Sequence, residues 1–129
     1  MFARFLLALL TCVAFATHAW AHHSYSAFDR DKTLTLKGTI ADIEWANPHI
    51  YIIVVAPGPQ GGEPIRWTIE GNPPAGMERD GWKKDSAKAG DTITMVINPL
   101  RTGQVGGGHY VSAELPGGVK AGRDPATGH

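Results

Sequence analysis

Alternation of apolar and polar residues with a period of two most constrains what this chain can fold into. Ile65, Trp67 and Ile69 alternate with polar residues, and the same spacing recurs over residues 92–98 and 109–115. A strand that buries one face places every second side chain in the core, whereas a helix needs a period of about 3.6. The pattern therefore predicts an all-β domain.

The first strand is predicted to be long and bent. Over residues 33–45 the apolar positions keep one parity as far as Ile40 and take the other parity from Ile43 onward. A change of phase within one strand predicts a β-bulge, here near residues 41–42. Gly38 lies in the middle of the strand, where the absence of a Cβ permits a sharp bend or a close backbone approach.

Two further segments complete a five-strand order. The apolar residues 49–56 predict a buried second strand, and the Gly/Pro-rich residues 57–64 predict a loop. Residues 71–88 contain prolines and glycines that allow only a short or irregular helical segment between strands three and four. This order predicts a small five-stranded OB-like barrel, with an open five-stranded β-sandwich as the alternative.

The N-terminal residues have the layout of a secretory signal peptide. A nearly unbroken apolar run over residues 5–16 is shorter than the roughly 20 residues that span a membrane. Ala19-Trp20-Ala21 then matches a small-residue cleavage pattern and would leave His22 as the first residue. Cleavage after Ala19 is the alternative and would leave Trp20 first. We therefore predict export to the periplasm, without stable membrane insertion after cleavage.

We predict a signal peptide over residues 1–21, one barrel domain over 22–116 and a flexible tail over 117–129.

The composition of the mature chain argues against two classes of site. Cys12 is the one cysteine and falls in the signal, so no disulfide or thiolate metal ligand is expected. Without Arg4 the chain has one more acidic than basic residue and no basic stripe, which argues against nucleic-acid binding.

Cleavage before His22 would create a metal-chelating N-terminus. The α-amine and the imidazole of one terminal histidine can bind a single ion, and His23 follows directly. A second imidazole would complete a planar three-nitrogen site, which suits Cu(II). Cleavage before Trp20 would give an amine-x-His terminus that also suits Cu(II) or Ni(II). The alternative is a pair of polar histidines on a loose terminus.

Two internal histidines are candidates for the additional metal ligand. His49 follows the Asn47-Pro48 turn at the start of a strand, and His109 follows three glycines at the start of another. A structural imidazole bonded to a backbone carbonyl is the alternative for each. Asn47, Glu44 and Glu70 are candidates for groups that orient such an imidazole, and a solvated strand face is the alternative for the two glutamates.

Several motifs, taken in order, resemble a family of small exported bacterial proteins known as a domain of unknown function. They are Ala21-His22-His23-Ser24, Leu36-x-Gly38-Thr39, Glu44-Trp45-x-Asn47-Pro48-His49, Trp67-x-x-Glu70, Gly81-Trp82 and Ala89-Gly90-Asp91. The resemblance covers about residues 21–116 and implies a periplasmic, β-barrel-like protein. The resemblance implies no particular activity or ligand. The residues that it places at the motif positions of the family are His22, His23, Asn47, Pro48, His49 and Glu70. The chain departs from the family over 57–64 and before His109.

Three functional hypotheses follow from these features. The first is a periplasmic barrel that binds copper through its processed N-terminus and His49, for storage or delivery rather than turnover. The second is a metal-free OB-type module for a small molecule, an envelope glycan or a partner protein, in which Tyr51, Trp67 and Trp82 would matter. The third is a copper oxidase. No phosphate-binding loop, nucleophile turn or zinc-protease motif is present in the sequence.

Overall fold

The computed structural model describes residues 23–123 and contains two short helices and six strands. In chain order these are α1 (His23–Ser26), β1 (Leu34–Glu44), β2 (Tyr51–Gly58), β3 (Gly61–Glu70), α2 (Pro74–Arg79), β4 (Thr92–Pro99), β5 (Gly107–Glu114) and β6 (Lys120–Gly122). Within this range, neither helix has the length and apolar content needed to cross a membrane.

Five of the strands close into a ring. β1 pairs antiparallel with β2 on one side and with β4 on the other, β2 pairs with β3, and β4 pairs with β5. The parallel pairing of β3 with β5 closes the ring in the order β1-β2-β3-β5-β4. With α2 between β3 and β4, this architecture confirms the predicted small, all-β, barrel-like fold.

β1 bends so that its two halves belong to different strand pairs. Its residues from Leu34 to Thr39 pair with β4, and those from Thr39 to Glu44 pair with β2. The register shift between Ile40 and Asp42 confirms the predicted β-bulge. Gly38 lies at the bend, where a Cβ would collide with the carbonyl oxygen of Val55.

Two segments are more regular than the sequence indicated. The predicted loop over 57–64 is largely strand, because β2 and β3 continue to a tight turn with Gly58 opposite Gly61. In the predicted tail, Lys120–Gly122 pairs with β5 as a sixth strand. Both pairings use backbone groups at Gly/Pro-rich positions, so apolar periodicity gives no sign of them.

The core is formed by the inward-facing residues of the ring together with two residues that follow β3. The largest fully buried side chains are Trp67, Trp82, Ile40, Ile50, Ile52, Ile69, Met77, Ile93, Met95, Ile97 and Val54. The indole nitrogen of Trp67 donates to the Ala56 carbonyl at 3.2 Å, and that of Trp82 donates to the Tyr110 hydroxyl at 3.1 Å. Trp67 and Trp82 are therefore core residues, and neither offers its ring to a ligand at the surface.

The bend of β1 can be tested by adding one methyl group. A Cβ at residue 38 would lie 2.7 Å from the Ala56 Cβ and would also meet backbone, which cannot move away cheaply. We expect Gly38→Ala to lower the free energy of unfolding in urea by about 3 kcal/mol. Gly58→Ala is the matched control, because its new Cβ would have ordinary contacts beyond 3.7 Å. Equal effects of the two substitutions would contradict a closely packed β1 bend.

Candidate functional site

One cross-strand row passes around the outside of the ring. The pairings Glu44–Tyr51, Tyr51–Glu70, Glu70–His109 and His109–Asn98 link all five ring strands in turn. Directly paired residues project from the same face of a sheet, and here the neighbours of each residue along its strand point inward. We call these five residues the outer row. The register thus brings together Glu44, Glu70 and His109, which are far apart in sequence.

His49 lies beside the outer row and has a defined tautomer. Its Nδ1 lies 3.0 Å from the carbonyl oxygen of Gly71 and 3.5 Å from Oε1 of Glu70. Because a carbonyl oxygen can only accept, Nδ1 carries the proton, and Nε2 of the neutral ring keeps a lone pair. The His49 side chain is 19% exposed and that of Glu70 is 14% exposed. This is the arrangement by which proteins orient a metal-binding histidine.

The local backbone fixes this arrangement from both sides. The Asn47–Pro48 peptide bond is cis and immediately precedes His49. Ile50 donates to the Asn72 carbonyl at 3.2 Å, and Gly71 donates to the Ile50 carbonyl at 2.7 Å. These two hydrogen bonds tie the residue after His49 to the segment that supplies its hydrogen-bond acceptor.

His109 is in a different environment, buried beneath aromatic rings. Its ring centroid lies 5.1 Å from that of Tyr25 and 5.4 Å from that of Phe28. Burial lowers its pKa below the ordinary 6.5, while the charge of Glu70 acts in the opposite direction. Its Nε2 is the one buried side-chain polar atom of the described residues that has no hydrogen-bond partner. His109 is thus a neutral, enclosed imidazole.

The residues that cover His109 belong to the N-terminal segment, residues 23–30. Phe28 is held by a β-bridge to Leu100, and the Asp29 amide donates to the Pro99 carbonyl at 2.8 Å. The hydroxyl of Tyr25 donates to Oδ1 of Asn72 at 3.4 Å. The segment therefore runs over the outer row toward the residues that hold His49. Periodicity could not identify Tyr25 and Phe28, because they lie outside any long strand.

Tyr51 lies between Glu44 and Glu70 in the outer row and was a sequence candidate for the metal-free module. Burial raises its pKa, and the negative charges of Glu70 and Glu44 act in the same direction. The phenol therefore stays neutral between two carboxylates. It presents a hydroxyl group at the outer surface of β2, next to the half-buried Glu70.

The other predicted site residues do not form a common cluster with His49 within the part of the chain that the structure describes. His22 lies outside the described residues, and His23 begins α1 with no description of its side chain. Glu44 is exposed at the end of β1. Asn47 is exposed in its turn, and the structure from residue 23 to 123 gives its side chain no hydrogen bond to His49. In that same range no cluster of three or more His, Cys, Asp or Glu side chains could hold a metal.

A polar cleft of about 470 Å³ opens next to the outer row. Its walls come from the N-terminal segment, from the residues around α2, from the start of β5 and from the end of the described chain. Tyr25 and His109 belong both to this cleft and to the surroundings of the row. The cleft volume is within the range of small-molecule sites.

The fold defines a small, all-β, barrel-like protein, and the outer row places five polar residues next to one another across its ring. A family model matches residues 9–109, and the chain belongs to that family, which is described as a family of unknown function, DUF6152. This finding confirms the predicted membership in an uncharacterised family. Comparison with curated proteins and with solved structures gave no match.

The enclosure of His109 predicts a specific pH dependence of stability. A histidine whose pKa is lowered in the folded protein takes up its proton more readily in the unfolded chain. Folding stability is therefore fully present above about pH 6.5 and is lost as the pH falls toward the folded pKa of His109. We expect the free energy of unfolding in urea to decrease from pH 7 to pH 5.

His109→Phe is the control for this measurement, because phenylalanine keeps a ring between Tyr25 and Phe28 and cannot titrate. The variant should have a flatter pH dependence over the same interval. Asp29 and Asp91, whose pKa values are lowered from 3.8 by hydrogen bonds from Lys32 and Lys88 respectively, affect stability only at lower pH. Identical slopes in the two proteins would mean that His109 is already accessible to water.

Proposed function

We propose that the mature protein is a periplasmic Cu(II)-binding protein whose ligands are the α-amine and imidazole of His22 and Nε2 of His49. The observation that carries the proposal is the hydrogen bond from His49 Nδ1 to the Gly71 carbonyl at 3.0 Å. That bond leaves Nε2 with its lone pair and fixes the ring plane. An oriented, half-exposed imidazole of this kind is a suitable third nitrogen ligand.

The course of the N-terminal segment supports the choice of His49. Tyr25 contacts Asn72, whose neighbour Gly71 accepts the hydrogen bond from His49. Tyr25 is the third residue after His22, and an extended chain spans at most about 3.6 Å per residue. The terminal amine is therefore restricted to within roughly 11 Å of the Tyr25 backbone. His22 itself lies outside the described residues, so this reach argument is the link between the two ligands.

The chemistry of the donors favours copper and a binding role. One amine and two imidazoles form a nitrogen-rich set that suits the tetragonal preference of Cu(II). Glu70, 3.5 Å from Nδ1 of His49, adds a carboxylate that helps to orient the ring. His109 is a poor candidate ligand, because its Nε2 is enclosed. We infer storage or delivery of the ion, with export to the periplasm generating the N-terminal ligand.

The first experiment determines the mature N-terminus and the metal together. Protein exported to the periplasm without an N-terminal tag is analysed by intact mass, both denatured and native. We expect a chain that begins at His22 and retains one copper ion under native conditions. A chain that begins at His22 and takes up no Cu(II) when the ion is offered would overturn the proposal.

Substitutions then test the individual ligands by Cu(II) competition with a chromogenic chelator. His22→Ala and His49→Ala should each weaken binding by about 100-fold, and Glu70→Gln by about tenfold, because it acts through His49. The control is a form with Gly-Ser-Gly-Ser added before His22, which keeps every histidine but moves the free amine four residues away and leaves no histidine at position three. It should lose affinity to a similar extent as His22→Ala. Binding that is unchanged in His49→Ala would remove His49 from the site.

A metal-free binding module for a small molecule, an envelope glycan or a partner protein is the second candidate, and the polar cleft beside the outer row favours its small-molecule form. It predicts that His22 is dispensable for function.

A copper oxidase is distinguished from both by consumption of oxygen in the presence of ascorbate and the copper-loaded protein.

A further inference from the structure

The cleft beside the outer row contains two arginines that come from opposite ends of the described chain. Arg30 is the last residue of the N-terminal segment, and Arg123 follows β6. Within residues 23–123, neither guanidinium forms an ion pair with a carboxylate. Both arginines therefore keep their capacity to bind an anion from solution.

Arg30 is positioned by the ring of Tyr25. Its Cζ lies 5.9 Å from the Tyr25 ring centroid, at cation–π distance. The backbone on either side of Arg30 is anchored, since the Asp29 amide donates to the Pro99 carbonyl and the Lys32 amide donates to the Asp29 carbonyl at 3.2 Å. The guanidinium is thus held at one wall of the cleft.

Arg123 is positioned at a second wall of the cleft by the pairing of β6. Its amide donates to the Val111 carbonyl at 3.2 Å, and the Gly122 amide donates to the Asp80 carbonyl at 2.7 Å. These bonds connect the last described residues both to β5 and to the turn after α2. The position of Arg123 therefore depends on the short sixth strand.

The remaining polar groups of the cleft determine the charge of a suitable ligand. The carboxylate of Asp80 also lines the cleft and accepts a hydrogen bond from Nδ2 of Asn72 at 3.1 Å. The two arginines and this one aspartate leave a net charge of about plus one, because His109 is enclosed as a neutral ring. A ligand with a single negative charge would bring the cleft to neutrality, whereas a doubly charged phosphate would leave it with an excess negative charge.

The apolar part of the cleft determines the body of that ligand. Tyr25 is 40% exposed, and together with Phe28 it supplies an aromatic wall beside Arg30. A planar guanidinium binds a carboxylate through two parallel hydrogen bonds, and an aromatic wall favours a flat apolar group next to it. We propose that this cleft binds a small organic monocarboxylate, with its carboxylate between Arg30 and Arg123 and its apolar body against Tyr25.

The test uses benzoate as the probe and metal-free mature protein. Isothermal titration should detect benzoate binding with a Kd of about 1 mM or tighter, and benzamide, which has the same shape without the charge, should bind at least about tenfold more weakly. Inorganic phosphate should also bind more weakly than benzoate. Equal affinity for benzoate and benzamide, or tighter binding of phosphate than of benzoate, would overturn the proposal. The absence of detectable binding at benzoate concentrations up to about 10-fold above 1 mM would also overturn it.

Arg30→Gln and Arg123→Gln should each weaken benzoate binding by about tenfold. Arg66→Gln is the matched control, because it removes one exposed positive charge from β3 outside the cleft and should leave the affinity unchanged. Thermal unfolding of each variant verifies that the fold is intact. Equal weakening in all three variants would indicate only a general effect of net charge and would contradict the assignment.

This site is independent of the proposed copper function. His22→Ala should keep the benzoate affinity of the unmodified protein, and Arg30→Gln should keep its Cu(II) affinity. Loss of copper binding with retained benzoate binding would therefore refute one proposal without affecting the other. Loss of benzoate binding in His22→Ala would contradict the location of the carboxylate site.

Discussion

The parallel pairing of β3 with β5 is the constraint on which the rest of the structure depends. It closes the ring, and its register places Glu70 beside His109. On its other side β5 approaches β4 closely, where a Cβ at Gly108 would lie 3.0 Å from the Asn98 carbonyl oxygen and 2.5 Å from Cδ1 of Ile97. A larger residue than Gly108 would push β5 away from β4 and would interrupt the outer row between His109 and Asn98.

The sequence predicts the strands but gives no sign of the pairing that closes the ring. A strand that buries one face shows alternation of apolar and polar residues, so β3, β4, β5 and the bulge of β1 were predictable from apolar residues alone. Residues 106–108 give no such signal, since glycine has no apolar side chain to report burial. Their role follows from backbone proximity between distant strands, which composition does not encode.

The candidate site could be predicted as a set of residues but not as an arrangement. His49, Glu70 and His109 were identified from residue type and position. The strand registers then place Glu70 on β3, between β2, which begins two residues after His49, and β5, which contains His109. The sequence could not distinguish the two histidines, because the difference arises from their partners. His49 has Gly71 as an acceptor and an exposed edge, whereas His109 lies beneath Tyr25 and Phe28.

The N-terminal segment gives these separate features a common physical basis. Its aromatic residues replace water over His109, its Arg30 contributes to the cleft, and its first described residues lead toward His49. Arg101 donates hydrogen bonds to the carbonyls of Ser26 and Ala27 in this segment. The segment is also held by Phe28, by Asp29 and by the contacts of its aromatic rings with His109. Its order therefore depends on a neutral His109, because protonation would place an unsolvated charge beneath the two rings. The enclosed imidazole thus couples the position of the N-terminal segment to the state of the barrel surface below it.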